Sequence, residues 1–196
     1  MKALDHRFTC SAVIVGVIAS LAMSQQVSAE DPTWFGQTAD GTWLVGADFG
    51  AAQIGRSGHK DTSNAGITVG YEFSRPVGFS GSSTIEFSAT TSTSDGSIGL
   101  DSIYGSTGNW NIDTQSLFFT YRTPGTIYFK GKLGGIQSSV RSRGLTFNTT
   151  EDDTSLGYGA GLGLRPWKNV TFEAEYAGAS GTNDINLITI GAKIGF

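Results

Sequence analysis

The chain has 196 residues, 28 of them glycine and 4 proline, with 13 basic against 17 acidic side chains. That length fits a single domain, the acidic balance excludes a basic footprint for nucleic acid, and glycine at this frequency disfavours helices. The one cysteine, Cys10, excludes a disulfide framework and a thiolate metal site.

The first element is a leader. Lys2 and Arg7 precede an apolar run from Ser11 to Met23, and Val27-Ser28-Ala29 then stands before the acidic Glu30-Asp31. This layout predicts a secretory signal peptide over residues 1–29, cleaved after Ala29. The run is too short, and its flanks are wrong, for a spanning helix. Cys10 lies ahead of it, so a lipoprotein acceptor cysteine is not expected. Removing 29 of the 196 residues leaves 167; losing Lys2, Arg7 and Asp5 leaves 11 of the 13 basic and 16 of the 17 acidic residues. Residues 30–41 are expected to form a short N-terminal periplasmic segment. No later stretch reaches the roughly 18 consecutive apolar residues of a membrane helix. Any span must then use strands closed into a barrel, because lipid cannot satisfy a free backbone.

Eight runs with period two follow across residues 42–196. Their apolar members are Trp43 to Ala51, Ala65 to Phe73, Ile85 to Ala89, Leu117 to Tyr121, Ile127 to Leu133, Leu156 to Leu164, Val170 to Tyr176 and Ile188 to Phe196, each taken at every second position. Such alternation marks strands with two unlike faces. Each run is, or extends to, the roughly 9–11 residues a tilted strand needs to cross a bilayer. The connections at 53–63, 92–110, 137–153 and 179–184 are mostly long and polar. Those at 74–82, 123–126 and 165–169 are mostly short, and two carry proline: Thr123-Pro124-Gly125-Thr126 and Arg165-Pro166-Trp167-Lys168-Asn169. Long loops outside and short turns inside are the asymmetry of outer-membrane barrels. The expected fold is all-β, an eight-stranded antiparallel up-and-down transmembrane β-barrel.

Alternation alone does not separate a membrane barrel from a soluble lipocalin-like carrier, which is the same pattern turned inside out. Three features favour the membrane. The polar face is lined with small residues, as in Gly157, Gly159, Gly161 and Gly163, which suits a narrow interior. Its charges are of mixed sign: Asp48, Glu72, Glu86, Glu173 and Glu175 against Arg122, Lys130, Lys132 and Lys193. These nine are expected to form a paired lumen network, since burying them singly carries a large desolvation cost. Aromatics gather at the short-turn ends, among them Trp43, Tyr71, Phe73, Phe119, Tyr121, Phe129, Trp167, Phe172 and Phe196, where a membrane-interface girdle is expected.

The closing stretch Leu187-Ile188-Thr189-Ile190-Gly191-Ala192-Lys193-Ile194-Gly195-Phe196 resembles the last strand of the small bacterial outer-membrane β-barrel family that includes the OmpA membrane domain, the OmpX type and the Opa-like adhesins. The resemblance covers residues 42–196. It implies a place in the outer membrane, contact with outer-membrane lipid and lipopolysaccharide, and reading of Phe196 by the barrel-assembly machinery. Unlike full-length OmpA, no peptidoglycan-binding domain is expected after Phe196.

For chemistry the residues offer little. His59, in the first long connection beside Ser57, Lys60 and Asp61, is the sole histidine after residue 29; Asp95 with Ser94 and Ser97, and Asp101-Ser102, lie in the second. This set resembles one type of lipid A-modifying barrel, but no nucleophile and base are fixed by the spacing. Gly157 to Gly163 continues as a strand rather than opening the helix a dinucleotide loop needs. Glu151-Asp152-Asp153 stands without a second ligand cluster. No catalytic residue, metal or cofactor is expected. The reading is a non-enzymatic barrel with an occluded, charge-paired lumen, serving envelope integrity and offering loops 92–110 and 137–153 to a surface partner through Tyr104, Trp110, Leu145 and Phe147. A lipid A-modifying enzyme and a small low-conductance porin are the alternatives.

Overall fold

The computed structural model describes residues 33–34, 37–38, 41–55, 58–73, 81–99, 108–144, 148–181 and 184–196. The expected leader, the connection at 74–80, and Ser57, Asp101, Ser102, Tyr104, Leu145 and Phe147 lie outside the described residues. Of the segment 30–41 the structure shows a small antiparallel ribbon, Thr33–Trp34 paired with Gln37–Thr38. The ribbon falls in an N-terminal unit, Met1–Ala39, and the strands below fall in a second, Asp40–Phe196.

That second unit is a closed barrel. Its strands are β1 (Gly41–Ile54), β2 (Thr62–Phe73), β3 (Ser82–Ser92), β4 (Gly108–Arg122), β5 (Ile127–Arg143), β6 (Asn148–Trp167), β7 (Val170–Ser180) and β8 (Ile185–Gly195). Each pairs antiparallel with the next in sequence. β8 returns to β1, where Trp43 and Phe196 exchange backbone hydrogen bonds of 3.1 and 3.0 Å and close the seam. The turn 123–126 reverses the chain through Gly125, whose φ of 122° is open to glycine.

The strand faces follow from the alternation. Phe49, Leu117, Phe129 (68% exposed), Leu133, Leu162 and Ile190 (65%) point away from the barrel axis, while Glu86, Arg122, Lys130, Glu173 and Lys193 are buried within. A soluble carrier would show the reverse. Trp43 stacks edge-on against Tyr71, and Tyr71 against Phe73, at 5.1 and 5.3 Å between ring centres, on the end of the barrel where Gly41 and Phe196 lie.

Two expectations about connections are corrected. Residues 137–153 are mostly strand, because β5 runs 17 residues to Arg143 and β6 runs 20 from Asn148. Residues 92–110 include a short strand, Gly96–Ile98, paired with Gly108–Trp110 of β4. The reason is an inversion of the hydrophobic phase. Within the belt β5 places Phe129 and Leu133 outward and Lys130 inward; beyond it, Gln137 and Arg141 face outward and Ile136 and Val140 are buried. Above the lipid the outer wall meets water, so its faces exchange character while the strand continues.

Candidate functional site

The lumen is where the sequence concentrates its chemistry. Seven of the nine expected network residues form one continuous set of ion pairs. Glu173 of β7 is its hub. It accepts hydrogen bonds from Arg122 Nε at 2.8 Å, Lys130 Nζ at 2.7 Å, Lys193 Nζ at 2.7 Å and the Tyr128 hydroxyl at 2.6 Å. Glu86 of β3 takes Lys130 at 3.0 Å, Lys193 at 3.1 Å, Thr120 Oγ1 at 3.2 Å and a close contact from Arg122. Glu175 binds Lys130 and Lys132 closely and Lys193 at 3.5 Å. Arg122 and Lys193 are each 2% exposed. Such burial is tolerable only because every charge meets an opposite charge and its remaining donors or acceptors are met as well.

Register explains how eight narrow strands hold these long side chains. Across the sheet Lys193 faces Gly46, Glu86 faces Gly70, Lys130 and Glu175 face Gly161, Lys132 faces Gly159, and Glu173 faces both Gly163 and Gly191. A Cβ at Gly163 would enter the Tyr128 ring, and one at Gly159 the Lys132 chain. The glycines are thus the space into which neighbouring charges fold.

Asp48 lies just beyond the ion pairs, buried, and accepts from Thr68 Oγ1 at 2.7 Å. Among the described residues, the ionic layer and Asp48 together bring four carboxylates (Asp48, Glu86, Glu173, Glu175) and four cations (Arg122, Lys130, Lys132, Lys193). Lys132 also sits over the Phe118 ring at 4.7 Å. Glu72 is a correction: it stands apart from the network, pairing with Arg165 at 3.2 Å at the end of the barrel where β1 begins. Arg165 in turn lies 5.8 Å from the Tyr128 ring centre. Sequence reasoning passed over Arg165 and Tyr128, although Tyr128 shares the inward phase of Lys130 and Lys132.

Beyond the ionic layer a cavity of about 30 Å³ lies between Asp48, Ser88, Thr114 and Thr189. That is room for no more than one or two waters. Past it the interior turns apolar: Phe118, Ile136, Leu187, Ile112, Ile54 and Trp110 belong to one buried cluster. Trp110 is also a correction. It was expected as an exposed contact point and is 1% exposed, its indole N–H donating to the Lys60 carbonyl at 2.8 Å.

His59 packs edge-on against Trp110 at 5.9 Å and bridges Ile98. Asp95 accepts from Asn111 at 3.3 Å, and Ser94 Oγ accepts from the Ser63 amide at 3.2 Å. Glu151, Asp152 and Asp153 fall on alternate faces of β6, and among the described residues no cluster of three metal-ligating side chains is found.

Solved structures share this architecture. Ail of Yersinia pestis, in complex with the heparin analogue sucrose octasulfate, aligns with a TM-score of 0.56 at 18% identity over 80% of this chain and 99% of that one. The N-terminal barrel of Pseudomonas aeruginosa OprF aligns at 0.54 and 14%, over 80% and 100%. Neisserial surface protein A aligns at 0.52 and 10%, over 80% and 100%. A 58-residue stretch is also 33% identical to NHL-repeat-containing protein 4 of Mus musculus, spanning 30% of this chain and 43% of that protein, too little to bear on a whole barrel. The model of the outer membrane protein beta-barrel domain matches residues 15–196, and with the closed eight-stranded wall already described the chain belongs to that outer-membrane family.

Proposed function

We propose that this protein is a non-enzymatic outer-membrane barrel that spans the membrane as a plugged tube, contributing to envelope integrity and meeting partners through the end far from its termini. One observation carries the reading: between the ionic layer and the apolar cluster the described residues enclose a cavity of about 30 Å³. An eight-stranded barrel is just wide enough for side chains to fill it, which supports the plug. In this reading the leader 1–29 is removed on export, the barrel 42–196 lies in lipid and lipopolysaccharide, and Phe196 is the assembly signal. The long β4–β5–β6 ends then face the cell exterior, as long connections do in this class.

Planar-bilayer recording tests the plug. The pure protein should show no stable single-channel steps; reproducible, ion-selective steps would instead make it a small porin. The enzyme alternative rests on His59, which here packs against Trp110. Lipid A from cells carrying His59→Ala should match wild type by mass spectrometry, and a lost modification would overturn the non-enzymatic reading.

A further inference from the structure

Past the ionic layer the inner wall differs around its circumference. β1, β5, β7 and β8 turn Ile54, Ile136, Val140, Ala177, Ile185 and Leu187 inward. β2, β3 and β4 up to Thr114 keep a polar lane instead. It starts at exposed Ser94, whose carbonyl accepts from the buried Thr62 hydroxyl. From Thr62 the inward positions of β2 continue through Asn64 and Gly66 to Thr68. Thr68 shares hydrogen bonds of 2.9 Å with Ser88 and 2.7 Å with Asp48, and Thr90 shares one of 2.6 Å with Thr114. Asp48, Thr68, Ser88, Thr90 and Thr114 all line the cavity of about 30 Å³.

Two sets of polar groups here lack a protein partner. Asn64 and Ser138 are 3% and 1% exposed, yet both amide atoms of Asn64 and the Ser138 hydroxyl make no hydrogen bond. Asn64 stands opposite Ser92 of β3, and Ser138 opposite Thr114 of β4. Buried polar atoms left over by the protein are met by ordered water. Asp48 is the second case. It is buried, makes no ion pair among the described residues, and receives a hydrogen bond from Thr68. Facing it are Lys193 of β8, Glu86 of β3, Lys130 and Lys132 of β5 and Glu175 of β7. β2, β4 and β6 offer Thr68, Ser116 and Gly161 there. A buried carboxylate without a paired cation is relieved by taking a proton.

We propose that a file of water molecules fills this lane and makes Asp48 a proton-binding site, reached from the end of the barrel where Ser94 lies. Hydronium entering there gives its proton to an Asp48 carboxylate oxygen and leaves water behind. The interior then holds four cations against three carboxylates. The opposite approach is closed, because the fixed ammonium and guanidinium groups of the ionic layer repel a further positive charge at short range. Only the side of the membrane that the Ser94 end faces is taken from the proposed function. Protonation of Asp48 is read by infrared spectroscopy, whether or not the lumen conducts.

The experiment follows the full barrel in nanodiscs by difference infrared spectroscopy from about pH 7 to about pH 4, through the ordinary carboxylate range. Acidification should raise the carbonyl stretch of a buried carboxylic acid. Asp48→Asn should lack that band, and Thr68→Val, which removes the hydrogen bond to Asp48, should displace it. Transfer to deuterium oxide should shift the band within the mixing time. Asn64→Leu and Thr114→Val, each interrupting the water file, should keep the band and slow its isotope shift at least tenfold. Arg165→Ala, at the opposite mouth, should leave that rate unchanged. The heat-dependent gel shift reports folding of every variant; should Asp48→Asn fail to fold, displacement by Thr68→Val still assigns the band. Absence of the band from wild type, or its retention in folded Asp48→Asn, would overturn the proposal. So would an isotope shift that stays as fast in both lane variants, or one that Arg165→Ala accelerates, which would put the entry at the other end.

Discussion

Glu173 shows how single residues bear the ionic layer. Its two oxygens serve Arg122, Lys130, Lys193 and Tyr128 at 2.6–2.8 Å. Removing it leaves three buried cations short of a counter-ion, a change that costs about 3–5 kcal/mol where one partner of a buried pair is lost. Glu173→Ala should therefore lower the free energy of unfolding in lipid by that order, measured by urea titration with the gel shift of the folded barrel as readout. An unchanged midpoint would mean that the ion pairs contribute nothing to stability. The glycines offer a paired test. Gly163→Ala drives a methyl into the Tyr128 ring, whereas Gly131→Ala on the outer wall meets nothing within 4 Å. The first should cost about 1–3 kcal/mol as overpacking. The second should be neutral or stabilise by up to about 1 kcal/mol, through the lost freedom of the unfolded chain.

At the scale of the element, a strand here is two objects in series. β5 carries lipid-facing Phe129 and Leu133 and then water-facing Gln137 and Arg141, while its inner face passes from Lys130 to Ile136 and Val140. The border of the lipid belt follows, and charge scanning should find it. Leu162→Arg, within the belt on β6, should cost roughly 2–4 kcal/mol, and Gln137→Arg, past its edge, close to nothing. Equal costs at the two sites would move the border. The same inversion marks how far the sequence could be read. Where apolar residues faced outward, as from Leu156 to Leu164, the alternation gave strand, face and register together. Where Val140 and Trp110 moved into the inward phase, the outward residues became polar and the segments looked like loops. Tyr128 was hidden by its own alternation, an aromatic on the face otherwise left to glycine and charge. The Glu72–Arg165 pair joins positions 93 apart in the chain, and only barrel closure brings them together.

As a whole, the barrel turns a globular protein inside out across one part of its height and right side out across the rest. The membrane section hides ions and shows hydrocarbon; the far section hides Trp110 and Ile112 and shows polar side chains. This division accounts for the glycine-rich inner face, the paired charges and the proposed plug in one scheme. The test is spin-label accessibility in lipid, aided by a chain whose only cysteine is Cys10. Single cysteines replacing Phe49, Leu162 and Ile190 should give labels relaxed by oxygen and shielded from aqueous nickel chelate, while labels at Ser88 and Thr189 should be shielded from both. Labels at Ser88 and Thr189 open to oxygen, with Leu162 and Ile190 shielded from it, would contradict the assignment of the two faces.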